Sequence, residues 1–329
     1  MSPALSRRSL LATATLPLLP RAARSAPITV GVVYAIGEKL DGSFNEQAFR
    51  AHEAFARDTG ATIREYQPAQ LAEMPRGLDA LIRRGCDPVT AVGFYYAEPL
   101  REAAAASPAV RFNLVDAVVE AANVRSLVFK EHEGSFLVGV LAAMAAERGV
   151  VGFVAAMDIP LINRFVAGFE QGVRHARPDA TVLVNYVGTT PAAFNDPSTA
   201  AELTRAQIGR GAEVVFAGAG NGNFGVFQAA KELGALAIGV DSNQNGVAPG
   251  TILTSMLKRV DRAVRAALDD AAAGTWQGGV QAWGVAEDGV GWALDDHNRG
   301  LVSAAMEAAV EDARKRIAKG EIVVRETRG

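Results

Sequence analysis

Short runs of aliphatic and β-branched residues alternate along this chain with longer segments of helical period. That alternation constrains the fold more than any other feature. Residues 28–33 form the first apolar run, followed by a helix-like stretch over 45–58, a second run over 62–66 and a helical segment over 74–84. Strand and helix in this order imply a parallel sheet covered by helices on both faces. The pattern continues through a run at 89–94, a helix at 98–106 and a run at 110–115, so a first lobe is complete by about residue 130. A second series opens with a helix over 134–148. It runs through strands at 150–154, 181–187, 213–216 and 237–241, separated by helices at 162–177, at 199–209 and through Lys231. The halves follow one plan without repeating a sequence. The expected fold class is α/β: two doubly wound parallel-sheet lobes, each about 100 to 130 residues, with a ligand cleft between them. The strand at 251–253 and the helix at 258–273 are expected to return to the first lobe. The expected boundaries are therefore 27–131 plus about 246–283 for one lobe, and 132–245 plus about 284–329, with a helical tail at 301–319, for the other.

The first 26 residues read as an export signal. Ser6-Arg7-Arg8-Ser9-Leu10-Leu11 leads into an uncharged apolar stretch through Leu19, and Ala22-Ala23-Arg24-Ser25-Ala26 supplies a small-residue segment before Pro27. The paired arginines suggest the twin-arginine route. The stretch is too short to span a bilayer, and no later segment approaches the roughly 20 apolar residues a membrane helix needs. With no cysteine at the end of the signal, a periplasmic, soluble, unanchored protein is expected. Hydrophobic residues make up 49% of the chain and charged ones 21%, the balance of a globular α/β protein. The net charge of −3 gives no footprint for nucleic acid. The single cysteine, Cys86, cannot form an internal disulfide, so stability has to come from the cores.

In open parallel sheets, ligands bind beyond the carboxyl ends of the strands. The residues just after each run are therefore the candidates. Phe44 lies in the loop Asp41-Gly42-Ser43-Phe44-Asn45, where it is either a staple against its own helix or a stacking platform for a flat ligand. Asn45 is either a helix cap or a ligand donor. Asp116 and Asp241 end buried runs at equivalent places in the two halves, and a carboxylate there can accept hydrogen bonds from hydroxyl groups. Lys258 follows a strand near an expected helix start, where the helix dipole disfavours a cation, so a partner in the cleft is one reading and a solvated lysine the other. Phe216 ends a strand that runs into Ala217-Gly218-Ala219-Gly220-Asn221-Gly222. Gly220, Gly222 and Gly225 fit the G-x-G-x-x-G spacing, so a secreted NAD-dependent enzyme is a rival reading.

Other catalytic patterns are missing from the sequence. His52, His132, His175 and His297 are dispersed, without metal-ligand spacing. Neither a G-x-S-x-G elbow nor a P-loop occurs, so neither a catalytic residue nor a cofactor is expected.

Five blocks in order resemble the basic membrane protein group of ABC transporter substrate-binding proteins, which includes purine nucleoside receptors. They are Asp41 to Asn45, the stretch 159–169 with Phe165, the glycine loop from Ala219, Gly239-Val240-Asp241-Ser242-Asn243-Gln244, and Thr254-Ser255-Met256-Leu257-Lys258. The resemblance implies a type I periplasmic binding protein fold, hinge closure, a small-molecule ligand and an inner-membrane permease as partner, with the binding protein itself a monomer. It implies a purine base sandwiched between Phe44 and Phe216, with Phe165 lining the cleft, Asn45 and Asp116 contacting the ligand, Gly220 allowing close backbone approach, and Asp241 and Lys258 reaching the ribose from opposite sides. One departure is Tyr34 and Ala35 after the first strand, where nucleoside binders often carry an aspartate that reads the base. A free purine or other heterocycle is the alternative ligand.

Overall fold

The computed structural model describes residues 28–328, so the expected export signal lies outside the described range. The first lobe is built from β1 (Thr29–Val33), α1 (Phe44–Thr59), β2 (Thr62–Tyr66), α2 (Met74–Arg83), β3 (Val89–Val92), α3 (Ala97–Ala106), β4 (Phe112–Val115) and β5 (Val124–Phe129). The chain then crosses at Lys130 into α4 (Glu131–Ala145), β6 (Val150–Ala155), α5 (Pro160–Ala176), β7 (Thr181–Tyr186), α6 (Pro197–Gly209), β8 (Val214–Gly218), α7 (Asn223–Glu232), β9 (Leu236–Asp241) and β10 (Ile252–Lys258). It crosses back at Arg259 for α8 (Val260–Ala273) and β11 (Gly279–Trp283), and once more over 284–289 for β12 (Val290–Trp292) and α9 (Ala304–Ala318).

The two sheets have one topology. Their orders are β2-β1-β3-β4-β5-β11 and β7-β6-β8-β9-β10-β12, parallel throughout except where β12 runs against β10. Central strands such as β3 and β4 are buried at every position, whereas the edge strand β2 is largely exposed, as a doubly covered sheet requires. In each sheet the chain order reverses between the first and third strands of its lobe, β1 and β3 or β6 and β8. Ligands bind at such switch points.

The expected return of residues 246–283 to the first lobe is corrected at its start. β10 is a strand of the second sheet, paired with β9 in the register Met256↔Val240 and Leu257↔Asp241. The apolar run predicts a strand over 251–253 alone, because Thr254-Ser255 interrupts the run and Lys258 imitates the start of a helix. The lysine in fact ends the strand. β5, β11 and β12 likewise lie beyond the expected elements.

α4 is apolar almost all round because α5, α9, β10 and β12 cover it. Its contact with α5 is close enough that a Cβ on Gly172 would stand 2.0 Å from the Phe136 carbonyl oxygen. One on Gly168 would stand 2.1 Å from that of His132. The glycines thus set how near α5, which carries Phe165, lies to the cleft.

Candidate ligand-binding site

A cavity of about 150 Å³ lies between the lobes at the switch points. That is many times the roughly 10–15 Å³ a single water occupies on this measure. The first lobe contributes Phe44, Met74, Phe94 and Tyr95 to its walls, and the second Leu161, Ile162, Phe165 and Phe194. At the carboxyl ends of the strands, Asp116, Asp241 and Lys258 form a polar floor.

The loop after β1 is held by side chains. Asp41 accepts hydrogen bonds from the backbone N–H groups of Ser43, Asn45 and Glu46, at 2.8, 3.0 and 3.1 Å, and so starts α1. Asn45 is 2% exposed, and its amide is spent on backbone. Its Oδ1 accepts from Ala35 N–H, and its Nδ2 donates to the carbonyls of Ala35 and Glu38. Asn45 therefore shapes the loop that presents Phe44, the half-buried ring on the cavity wall.

The floor is a charge cluster. Lys258, 2% exposed, donates to Asp116 Oδ2 at 2.6 Å and pairs with Glu131 Oε1 at 3.0 Å. Glu131 Oε2 accepts from Arg164 Nε at 2.7 Å. The Lys258 ammonium also lies 5.2, 5.1 and 5.5 Å from the ring centres of Phe44, Phe129 and Phe165, within cation–π range. Asp241 Oδ2 accepts from Ser43 Oγ at 2.8 Å across the interlobe gap. Asp116 Oδ1 is buried without a hydrogen-bond partner among the described residues.

Burial pushes the Asp116 carboxyl up to about 6, against the pull of Lys258, and burial raises Asp241 as well. Burial also acts upward on Glu131, but Lys258 and Arg164 outweigh it and hold this carboxyl below the usual range. For Lys258, burial lowers the affinity for the proton, and the carboxylates of Asp116, Glu131 and Asp241 more than restore it. Three carboxylates thus face two cations in a buried site, leaving acceptor capacity for hydroxyl or N–H groups of a ligand.

The structure brings Phe44, Asn45, Asp116, Phe165, Gly220, Asp241 and Lys258 to the cavity. Phe216 is a correction. It is fully buried in the second lobe's core, its ring 4.6 Å from Phe153 and 5.3 Å from Phe169, and does not line the cavity. The length of β8 explains this: the strand runs on to Gly218, whose end reaches the cavity wall, and leaves Phe216 in mid-strand against Phe153 and Phe169. Asp241 and Lys258 also approach from one side rather than from opposite sides, since β9 and β10 are neighbours in one sheet.

Phe194, on the loop before α6, supplies the second-lobe ring that the sequence reading missed. A signal existed. Phe194-Asn195-Asp196 precedes a helix whose cap is Asp196, accepting from Thr199 N–H at 2.9 Å, much as the aspartate, phenylalanine and asparagine of the first loop open α1. Glu131 and Arg164 were also missed: Glu131 follows no motif, and in the stretch 159–169 Phe165 was singled out instead of its neighbour Arg164. The glycine loop is explained by packing. Gly220 has φ +59, and a Cβ there would lie 2.7 Å from the Phe194 carbonyl oxygen, while one on Gly225 would lie 1.9 Å from that of Pro197.

A cavity lined from both of two doubly wound lobes, at their switch points, defines a solute-binding protein of the type I periplasmic kind. The chain belongs to the family of PnrA-like ABC transporter substrate-binding proteins, whose model matches residues 28–328. It is 31% identical over 325 residues to the CD4+ T-cell-stimulating antigen of Listeria monocytogenes, covering 92% of this chain and 89% of that protein. An uncharacterized lipoprotein of Pyrococcus abyssi is 33% identical over 82% of this chain and 70% of its own length. Among solved structures, an ABC transporter solute-binding protein from Aeropyrum pernix superposes with a TM-score of 0.82 at 30% identity, covering 91% of this chain and 94% of that one. The family is extracytoplasmic. The name lipoprotein on an archaeal relative is at odds with the expectation of an unanchored protein, which rests on residues outside the described range. Among the described residues, no helix is long and apolar enough to cross a membrane.

Proposed function

We propose that this chain captures a purine nucleoside outside the cytoplasm and delivers it to an ABC permease in the membrane. The observation that carries the reading is a single cavity that joins aromatic rings from both lobes to a buried floor of Asp116, Asp241 and Lys258. Phe44 and Phe194, one from each lobe, are the rings that sandwich the base, with Phe165 beside them. Base–aromatic stacking contributes about 1–3 kcal/mol per base. Ribose hydroxyls donate to Asp116 Oδ1 and to Asp241, and Lys258 donates in return. Closure completes these contacts, so the ligand favours the closed form.

A free purine or related heterocycle is the second reading, favoured by Ala35 on the cavity wall where nucleoside binders of the resembling group carry a base-reading aspartate. A thermal-shift screen of the mature chain against inosine, guanosine, adenosine, free bases, ribose and NAD tests both, because a ligand that binds only the folded state raises the melting temperature. Stabilisation by nucleosides but not ribose supports the first reading. Stabilisation by bases alone removes the sugar role from Asp241 and Lys258. A shift with NAD alone overturns both.

A further inference from the structure

Glu131 is fully buried, lines no part of the cavity and belongs to no motif, yet its two carboxylate oxygens each face a cation: Lys258 at 3.0 Å and Arg164 at 2.7 Å. Stabilising the start of α4 does not call for this arrangement. A solvated carboxylate serves a helix N-terminus, whereas burial of a charge is costly unless that charge is held by partners.

Its place in the chain supplies the reason. Glu131 is the first residue after one crossing between the lobes, and Lys258 is the last residue of β10 before another. Both therefore stay with the second lobe, while Asp116, the other partner of Lys258, belongs to the first. When the lobes part, Asp116 leaves and Glu131 remains. A long lysine side chain with no fixed partner would be free to fold onto nearby Asp241 and close off the floor.

We propose that Glu131, braced by Arg164, is a positioning residue that keeps the Lys258 ammonium extended into the cleft, so that closing lobes and incoming ligand meet a preorganised donor. One of the three ammonium protons is donated to Asp116, and Glu131 pairs with the charge at 3.0 Å, so the ammonium keeps donor capacity for the ligand. Preorganisation of this kind raises affinity by removing the ordering cost from the binding step. The proposal rests on the ligand-binding reading above.

The decisive variant is Glu131→Asp. It keeps a negative charge at the start of α4 but withdraws the carboxylate from Lys258 by one methylene. Isothermal titration with inosine is expected to show about tenfold weaker binding at a nearly unchanged melting temperature, and less than about twofold further change when Glu131→Asp is added to Lys258→Met. Equal losses in both backgrounds, or a lowered melting temperature with native affinity, overturn the proposal. A readout without ligand separates its failure from failure of the nucleoside reading. In ¹³C NMR of labelled lysine side chains, Lys258 is expected to titrate above the usual lysine range in the native chain and to fall back toward that range in Glu131→Gln. If inosine does not bind the native chain, the nucleoside reading falls, and this titration still decides. An identical Lys258 titration in both chains overturns the proposal.

Discussion

Asp116 and Asp241 stand at equivalent points of the two lobes, just past β4 and at the end of β9, and both hold left-handed backbone, with φ of 70 and 63. Aspartate tolerates that region better than most residues, and strained positions of this kind gather at binding sites. A glycine would relieve the backbone at the cost of the carboxylate. Burial raises Asp116 to about 6, above the ordinary aspartate range, so the folded chain holds this proton more readily than the unfolded one. The resulting stabilisation is fully present below the unfolded value and is lost as pH rises through about 6. Glu131 is shifted downward and loses stabilisation on acidification, but it does so in any chain that retains it. The stability of the native protein relative to Asp116→Asn is therefore expected to rise between about pH 7 and pH 4. Urea denaturation across that range reads it, and a relative stability that falls toward acid contradicts the assignment. The two second-lobe phenylalanines separate along the same line. Phe216→Ala empties part of a ring cluster and should cost about 3–5 kcal/mol of stability. Phe194→Ala, on a half-buried wall residue, should cost much less stability and weaken nucleoside binding about tenfold or more, as loss of one stacking face implies. Melting curves and titration calorimetry on the two variants check this, and binding that survives Phe194→Ala intact would remove that ring from the sandwich.

At the level of elements, the α4–α5 contact fixes where the cavity wall stands. Gly139, Gly168 and Gly172 let the two backbones approach until a single methyl would collide with a carbonyl oxygen, at 2.5, 2.1 and 2.0 Å. Neither helix can yield freely, because α4 is buried on nearly all sides and α5 packs on β6 and β7. Gly172→Ala is therefore expected to cost about 1–3 kcal/mol or more, the range for overpacked interiors. Gly209, at the end of α6, is different: a Cβ there would meet no atom within 4 Å, and its φ is not positive. Gly209→Ala should then be neutral or stabilise by up to about 1 kcal/mol through the unfolded chain. Urea midpoints of the pair test the idea that close approach, and not glycine content, is what α5 requires; equal effects would refute it.

For the whole molecule, the alternation of runs was enough to read two doubly wound lobes, because parallel strands buried on both faces leave continuous apolar runs. It failed where that signal fades. β11 is largely exposed, β12 has three residues, and β10 ends on a buried lysine whose partners, Asp116 and Glu131, are far away in sequence. Asp116, Asp241 and Lys258 were legible from their places at strand ends, whereas Phe216 was misassigned because the apolar run stops there while the strand itself continues to Gly218. The interlobe contacts were not legible at all, and they carry the last prediction. Ser43 Oγ, on the first lobe, donates to Asp241 on the second at 2.8 Å, and Ser242 Oγ donates back to the Ser43 carbonyl at 3.2 Å. A hydrogen bond to a charged group is worth about 1.5–3 kcal/mol, so Ser43→Ala should shift the ligand-free protein toward an open form. Apparent affinity falls with the fraction of competent molecules, here about tenfold or more, while contacts made in the closed state stay the same. Small-angle scattering should then give Ser43→Ala a larger radius of gyration than the native chain without ligand, and the same radius once saturated with inosine. Weaker binding with an unchanged ligand-free radius would place Ser43 in direct contact with the ligand instead, and the closure argument would fail.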